Sequence, residues 1–165
     1  MPLPPDTAFD MVANADTRVL VLGSLPGRQS LAQGRYYANP RNQFWQLLSP
    51  VVGADLVAMA YPQRLATLLV SGIGLWDVIA SARRQGSLDT AIRDAALRDL
   101  PAAAAALPQL RALAFNGQKA FAIGQRQMKG HPSPALVALP SSSSAHTASL
   151  AIKQAAWSRL RDHLG

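Results

Sequence analysis

Four short segments of this chain hold the residues best suited to chemistry. Gly23-Ser24-Leu25-Pro26-Gly27 sets two glycines around a proline behind an apolar run, a tight, stiff turn where backbone can approach a ligand closely. It is neither a Walker loop nor a GxGxxG fingerprint, because no GK[ST] follows and the spacing differs. Next comes Tyr36-Tyr37-Ala38-Asn39-Pro40-Arg41-Asn42-Gln43-Phe44-Trp45, which packs four of the chain's ten aromatic residues into ten positions. Phe44 and Trp45 read as core residues of a following helix, but Tyr37 with Asn42 is not explained that way. A planar ring beside an amide with both donor and acceptor offers a flat aromatic ligand, such as an extruded nucleobase, a face to stack on and an edge to bond. Asn116 ends a third segment, and Pro140-Ser141-Ser142-Ser143-Ser144-Ala145-His146 forms the fourth. Serine hydroxyls and backbone N–H groups ahead of a helix are good phosphate donors. A bland reading stands beside each segment: a helix cap at Asn42, an Asn-Gly turn at Asn116, an ordinary serine linker, a plain loop histidine at His146.

These segments need a frame. Residues 17–25, 111–117 and 135–142 are apolar, β-branched runs that break into small polar residues at their C-terminal ends, as strands buried on both faces do. Residues 72–79 read as a fourth strand. Helices are expected over 42–52, over the alanine-rich 89–107, over 117–127, and over 149–165 behind a Ser149 cap. The last should carry a stripe of Leu150, Ala156, Trp157, Leu160 and Leu164. Strands alternating with helices predict an α/β chain, a three-layer α/β/α sandwich around a mainly parallel four-stranded sheet. In such sheets ligands bind beyond the carboxyl ends of the strands, which is where the unusual residues fall. Residues 1–16 read as an N-terminal tail and lead-in, with MPLPP disordered, and 17–165 as one domain.

Composition narrows the function further. The chain has 165 residues and a net charge of +7, with three lysines against thirteen arginines and aspartate as its sole acidic residue. Arginine forks onto phosphates at any relevant pH, so this balance suits a phosphate polyanion, although a GC-rich coding bias also inflates Arg and Ala. With 0 Cys and 3 His lacking ligand spacing, neither a disulfide framework nor a metal site is expected. No cofactor is implied. No apolar run nears the ~20 residues needed to span a bilayer, and no secretory signal is visible, so a cytoplasmic domain is expected.

The first two segments joined, GSLPGRQSL…YYANPRNQFW, resemble the first motif of the uracil-DNA glycosylase superfamily, most closely its hypoxanthine (deoxyinosine) branch. The resemblance continues through residues 74–89, 113–120 and 139–146, and so covers most of the chain in order. It implies an enzyme that hydrolyses the N-glycosidic bond of a flipped, deaminated base in double-stranded DNA. On this likeness Asn42 is the catalytic candidate, assisting water or leaving group. Gly23, Ser24, Leu25, Pro26, Gly27, Tyr37, Phe44 and Asn116 would form the base pocket, and Arg41, Pro140, Ser141, Ser142, Ser143, Ser144 and His146 would meet the DNA. Arg28 and Arg35 would reinforce phosphate attraction, while Arg83 and Arg84 read as a solvated face.

The departures from the family pattern are informative. Uracil-excising relatives hold the attacking water with a carboxylate or asparagine where this chain has Leu25, and place a histidine where it has Leu139. His131-Pro132-Ser133-Pro134 imitates that histidine loop but precedes the fourth strand, so it reads as a surface turn. The absent cysteines exclude the iron–sulfur branches. With no lysine expected at the site, no Schiff-base lyase step is expected, and the pocket reads as one working without a conspicuous carboxylate. A monomeric, monofunctional glycosylase follows as the expectation. The alternatives are a uracil- or mismatch-specific glycosylase and a non-catalytic damage-binding module.

Overall fold

The computed structural model describes residues 4–165; the first three residues of the expected disordered tail lie outside them. In chain order, β1 (Asp6–Thr7) and β2 (Val19–Gly23) precede α1 (Arg28–Gln33), α2 (Phe44–Val52) and α3 (Tyr61–Val70). Then come β3 (Ile73–Asp77), β4 (Ile79–Arg83), a 3-10 turn (Asp89–Ala91), β5 (Arg93–Leu97) and α4 (Leu100–Ala106). β6 (Ala112–Asn116), α5 (Gln118–Gln127), β7 (Ala135–Leu139), α6 (Leu150–Ser158) and a second 3-10 turn (Arg159–His163) complete the chain.

The main sheet is four-stranded and wholly parallel in the order β3-β2-β6-β7, in agreement with the expected α/β class. Alternation along its central strands builds the layers. Val19 and Val21 point into one core with Phe44, Leu47, Leu48, Leu68, Trp157 and Leu160, from α2, α3 and the C-terminal segment. Leu20 and Leu22 point the other way, onto Ile79, Leu100, Phe115, Ala120 and Met128, from β4, α4, β6, α5 and the C-cap of α5. Because both faces are covered, the central strands carry apolar residues at every position.

The middle of the chain departs from expectation. The helix expected over 89–107 is a 3-10 turn, then a strand, then only seven helical residues. Pro101, one position into α4, lacks the N–H that a longer helix would need, and Asp99 caps the helix by accepting from the Ala102 N–H at 3.0 Å. β5, exposed throughout, joins β1 and β4 in a small antiparallel sheet in the order β1-β4-β5. The expected lead-in is thus partly woven in: Asp6 and Thr7 pair with Ala82 and Ser81, and Val12 bridges to Leu75. The C-terminal stripe is narrower than expected, since Trp157 and Leu160 are buried but Leu150 is exposed.

One glycine tests the tight joint between α5 and β6. A Cβ on Gly124 would lie 2.1 Å from Phe115 Cε1, and Phe115 is fully buried. Gly124→Ala should therefore overpack the core and cost about 1–3 kcal/mol. A urea midpoint unchanged from wild type would refute this.

Candidate active site

Gly23, Asp77, Asn116 and Leu139 end the four parallel strands along one edge, and a cavity of about 820 Å³ opens beyond it. The volume is within the usual range of ligand pockets. The GSLPG turn forms one wall, with Gly23, Ser24, Leu25, Pro26 and Gly27 all lining the cavity.

That wall is braced from behind by an unexpected residue. Arg84, read as solvated, is buried: it donates to the Pro26 carbonyl, to the carbonyls of Leu25 (3.5 Å) and Ser87 (3.4 Å), and lies 3.8 Å from Asp6. Burial lowers its pKa, and Asp6 opposes that most strongly. A guanidinium fork is one of the few groups able to satisfy several turn carbonyls at once. Arg28 is also tied down, to Asp6 at 2.7 Å and the Gly86 carbonyl at 3.0 Å, though it stays exposed and lines the cavity. Arg35 stacks over Tyr61 at 5.3 Å and does not line the cavity. Arg83 pairs with Asp94 at 3.6 Å.

Tyr37 reaches into the cavity from a backbone φ of 52°, in the left-handed region that few bulky residues adopt. Its ring is stacked on Phe44 at 3.7 Å and 7°, and its carbonyl accepts from Trp45 Nε1 at 3.0 Å. Phe44 itself is fully buried and does not line the cavity, so its place is behind Tyr37 rather than in the pocket wall. Burial, and next the Asp77 carboxylate, push the Tyr37 hydroxyl well above its ordinary pKa, leaving it a protonated donor.

Asn42 lines the cavity just ahead of α2. Its Oδ1 accepts from the Phe44 N–H at 3.0 Å, which satisfies one of the helix's orphan donors. The capping alternative is therefore realised, but it uses only half of the amide. With Oδ1 held, Nδ2 is fixed as the other end and has no partner among the described residues.

Asn116, expected in the base pocket, is engaged by protein partners at both ends of its amide. Its Oδ1 accepts from the Ser142 N–H at 2.8 Å, while Nδ2 donates to Ser142 Oγ at 2.8 Å and to the Tyr37 hydroxyl at 3.3 Å. Much of the amide thus holds the serine loop rather than standing open. The Gln43 N–H donates to the Ser142 carbonyl at 2.9 Å. The buried Lys153 donates to Gln43 Oε1 at 2.9 Å and to the Ser143 carbonyl at 3.1 Å, and Trp157 Nε1 donates to the Pro140 carbonyl at 2.9 Å. Burial lowers the Lys153 pKa, yet the ammonium has two acceptors in place.

The loop after β7 is therefore clamped from three elements before it meets any ligand. Ser141, Ser142, Ser143 and His146 line the cavity; Ser142 is buried and His146 exposed. Pro140, Ser144 and Arg41 do not line it, and of these Ser144 and Arg41 are exposed. His131, Pro132 and Ser133 lie exposed ahead of β7, away from the cavity edge.

Lys119, Asp89 and Asp77 are among the cavity residues that escaped the sequence reading. Lys119, in the first turn of α5, stands at the rim despite the expectation of a site without lysine. Asp89 accepts from Ser24 Oγ at 2.5 Å. Asp77 overturns the expectation of a site without a conspicuous carboxylate: it is 3 % exposed, lines the cavity, and has one oxygen, Oδ2, sealed without a partner. Its pKa is pushed up to about 7, first by burial, with Asp89 adding to the rise and Arg98 and Arg84 opposing it. A charged residue ending an apolar strand at the ligand edge was the available signal.

The described residues contain no cluster of acidic, histidine or cysteine side chains able to hold a metal, and no helix long and apolar enough to cross a membrane.

The chain is similar to known proteins over most of its length. A hypoxanthine DNA glycosylase from Methanosarcina acetivorans is 42% identical over 112 residues, 68% of this chain and 71% of the relative. One of the same description from Methanosarcina barkeri is 40% identical over 111 residues, 67% and 70% of the two chains. The solution NMR structure of a candidate uracil DNA glycosylase from Methanosarcina acetivorans superposes with a TM-score of 0.86 at 36% identity, covering 98% of this chain and 99% of the other. The family model of the uracil DNA glycosylase superfamily matches residues 9–161. With that match spanning nearly the whole fold and the strand-edge cavity at its centre, the chain belongs to the uracil DNA glycosylase superfamily.

Proposed function

We propose that this protein is a monofunctional DNA glycosylase that hydrolyses the N-glycosidic bond of a deaminated base, hypoxanthine first, flipped out of double-stranded DNA. It acts as a monomer on cytoplasmic or nucleoid DNA and leaves an abasic site. The observation that carries this reading is the half-committed amide of Asn42. Its oxygen is held by the helix, its N–H₂ has no partner among the described residues, and Asn42 lines the same cavity as Tyr37. Cleaving the bond builds positive charge on the sugar and negative charge on the departing base. A fixed donor aimed at that base stabilises the transition state more than the ground state.

In this reading Tyr37, backed by Phe44, stacks the base, and the GSLPG turn forms the pocket floor. Asn116 supports the base edge while holding the serine loop. Ser141, Ser143 and Ser144, the Pro140 segment, His146 and Arg41 press on the DNA backbone, joined by Lys119 at the rim. The names borne by the two Methanosarcina relatives support hypoxanthine over uracil, as does Leu25, which is apolar where uracil-excising relatives hold water.

The deciding assay is base release from duplexes bearing hypoxanthine, xanthine or uracil. Hypoxanthine should be released fastest, the strand should stay intact until alkali is added, and borohydride should trap no covalent complex. Uracil release without hypoxanthine release would sink the substrate assignment. Leu25 also keeps one other reading open, a damage-binding module, which salt-sensitive DNA binding without any base release would select.

A further inference from the structure

Lys153, on α6, is 1 % exposed, and its ammonium has three donors but two acceptors, Gln43 Oε1 at 2.9 Å and the Ser143 carbonyl at 3.1 Å. Among the described residues no carboxylate pairs with it; the ion pairs there belong to Arg28, Arg83 and Arg84. Burying a cation against neutral acceptors alone is costly, and an apolar side chain of similar length would avoid that cost. Stability therefore does not call for a charge at this place.

What the ammonium does is fix two backbone segments at once. Gln43 stands between Asn42 and α2, and its own N–H donates to the Ser142 carbonyl at 2.9 Å, so loop and helix start are tied side by side. The Ser143 carbonyl also accepts from the His146 N–H at 3.0 Å, which closes residues 143–146 as a turn and uses both of its lone pairs. In a trans peptide the N–H lies opposite the carbonyl, so holding the Ser143 oxygen on Lys153 turns the Ser144 N–H away from it. Ser144 is exposed, and its N–H has no partner among the described residues. Two donors on one carbonyl, one of them charged, polarise the peptide and strengthen that N–H as a donor.

We propose that Lys153 is a positioning residue for DNA: from behind the serine loop it aims the Ser144 N–H at a phosphodiester oxygen, and that phosphate supplies the negative charge the buried ammonium lacks within the protein. The assignment rests on the glycosylase reading above and adds the group that readies the loop for the backbone. Lys153 touches no reacting atom and acts through Ser144. Its hold on Gln43 is shared with the Ser142 carbonyl, so the start of α2, and Asn42 with it, stays in place without the ammonium. Loss of Lys153 therefore weakens DNA binding and leaves the chemical step largely intact.

The test compares Lys153→Met, which keeps the stem and removes the charge, with Ser144→Pro, which removes the N–H at the second position of a turn, where proline is favoured. Each variant and the double variant are titrated with a duplex carrying a non-cleavable 2′-fluoro deoxyinosine, and excision of ordinary deoxyinosine is timed at saturating protein. Each single change should weaken binding by about tenfold, and the double variant no further, because both act through one peptide. Excision at saturation should stay within about threefold of wild type, and Lys153→Met should melt no lower than wild type. Wild-type affinity in either single variant would overturn the proposal. So would a double variant whose loss is the product of the two, or a Lys153→Met protein that binds normally but excises slowly at saturation. A Lys153→Met protein that does not fold would overturn it as well, since the charge would then serve the fold. If wild type excises no deoxyinosine, the glycosylase reading itself fails, whereas excision with unaltered binding in the variants sinks only the role of Lys153.

Discussion

Replacing Asn42 by Asp should abolish most base excision while leaving the fold intact. The two halves of the Asn42 amide do different work, and this substitution separates them. Oδ1 accepts from the Phe44 N–H at 3.0 Å, and aspartate keeps an oxygen there. Nδ2, unpartnered at the cavity, becomes an oxygen that cannot donate to a departing base. Losing one preorganised donor of this kind typically costs about 10²–10³ in rate, so single-turnover release of hypoxanthine should fall by that factor.

Asn42→Ala should lose the same activity and also the cap, with about 1 kcal/mol of stability. Unfolding midpoints of the two variants then separate support from chemistry. If Asn42→Asp excised at the wild-type rate and only Asn42→Ala were impaired, Asn42 would be a helix support and nothing more. Because aspartate adds a negative charge near DNA, binding to undamaged duplex is measured in parallel. A uniform loss of affinity there would account for a fall in rate at low protein concentration, but not for one at saturation.

What the sequence made legible follows from which forces were local. The β2 and β6 strands read clearly because a parallel strand covered on both faces is apolar at every position; β7, at the sheet edge with Ala135 and Ala138 exposed, keeps an apolar run all the same, and the residues that break each run mark the ligand edge. Tyr37 and Asn42 stood out because core packing alone does not call for them. The small sheet was not legible: β5 is Arg93–Leu97 with every residue exposed, so neither period nor hydrophobicity marks it, and alanine content pointed to helix. Its strand state comes from pairing with β4, a tertiary effect that propensity does not record.

Arg84 was misread for a related reason. A charge in a polar run looks solvated until the distant carbonyls of Leu25 and Pro26 and the carboxylate of Asp6 close around it. Asn116 lines the cavity, but its engagement with Ser142 depends on a loop 26 residues away. Asp77 was visible as a letter and invisible as a site, because its neighbour across the sheet, Gly23, lies on another strand.

The same buried carboxylate has a consequence for stability that needs no DNA. In an unfolded chain Asp77 ionises with an ordinary aspartate pKa near 3.8; in the fold the value is pushed up to about 7. Between those values the folded state holds a proton that the unfolded state has released, so raising the pH favours unfolding at this residue. The contribution is fully present below pH 3.8, declines across the window, and is gone above about 7. Asparagine at position 77 has no charge to desolvate.

Melting temperatures of wild type and Asp77→Asn should therefore lie close together near pH 4. They should diverge in favour of the variant up to about pH 7 and run parallel above it, with a final gap worth a few kcal/mol. Other titrating groups move both proteins together and cancel in the difference. A gap of opposite sign would mean that Arg84 or Arg98 holds Asp77 in an ion pair worth more than its desolvation. A gap in the expected direction would mean that the pocket carries a destabilising charge, the pattern expected where a fold keeps an unsatisfied group for a ligand to complete.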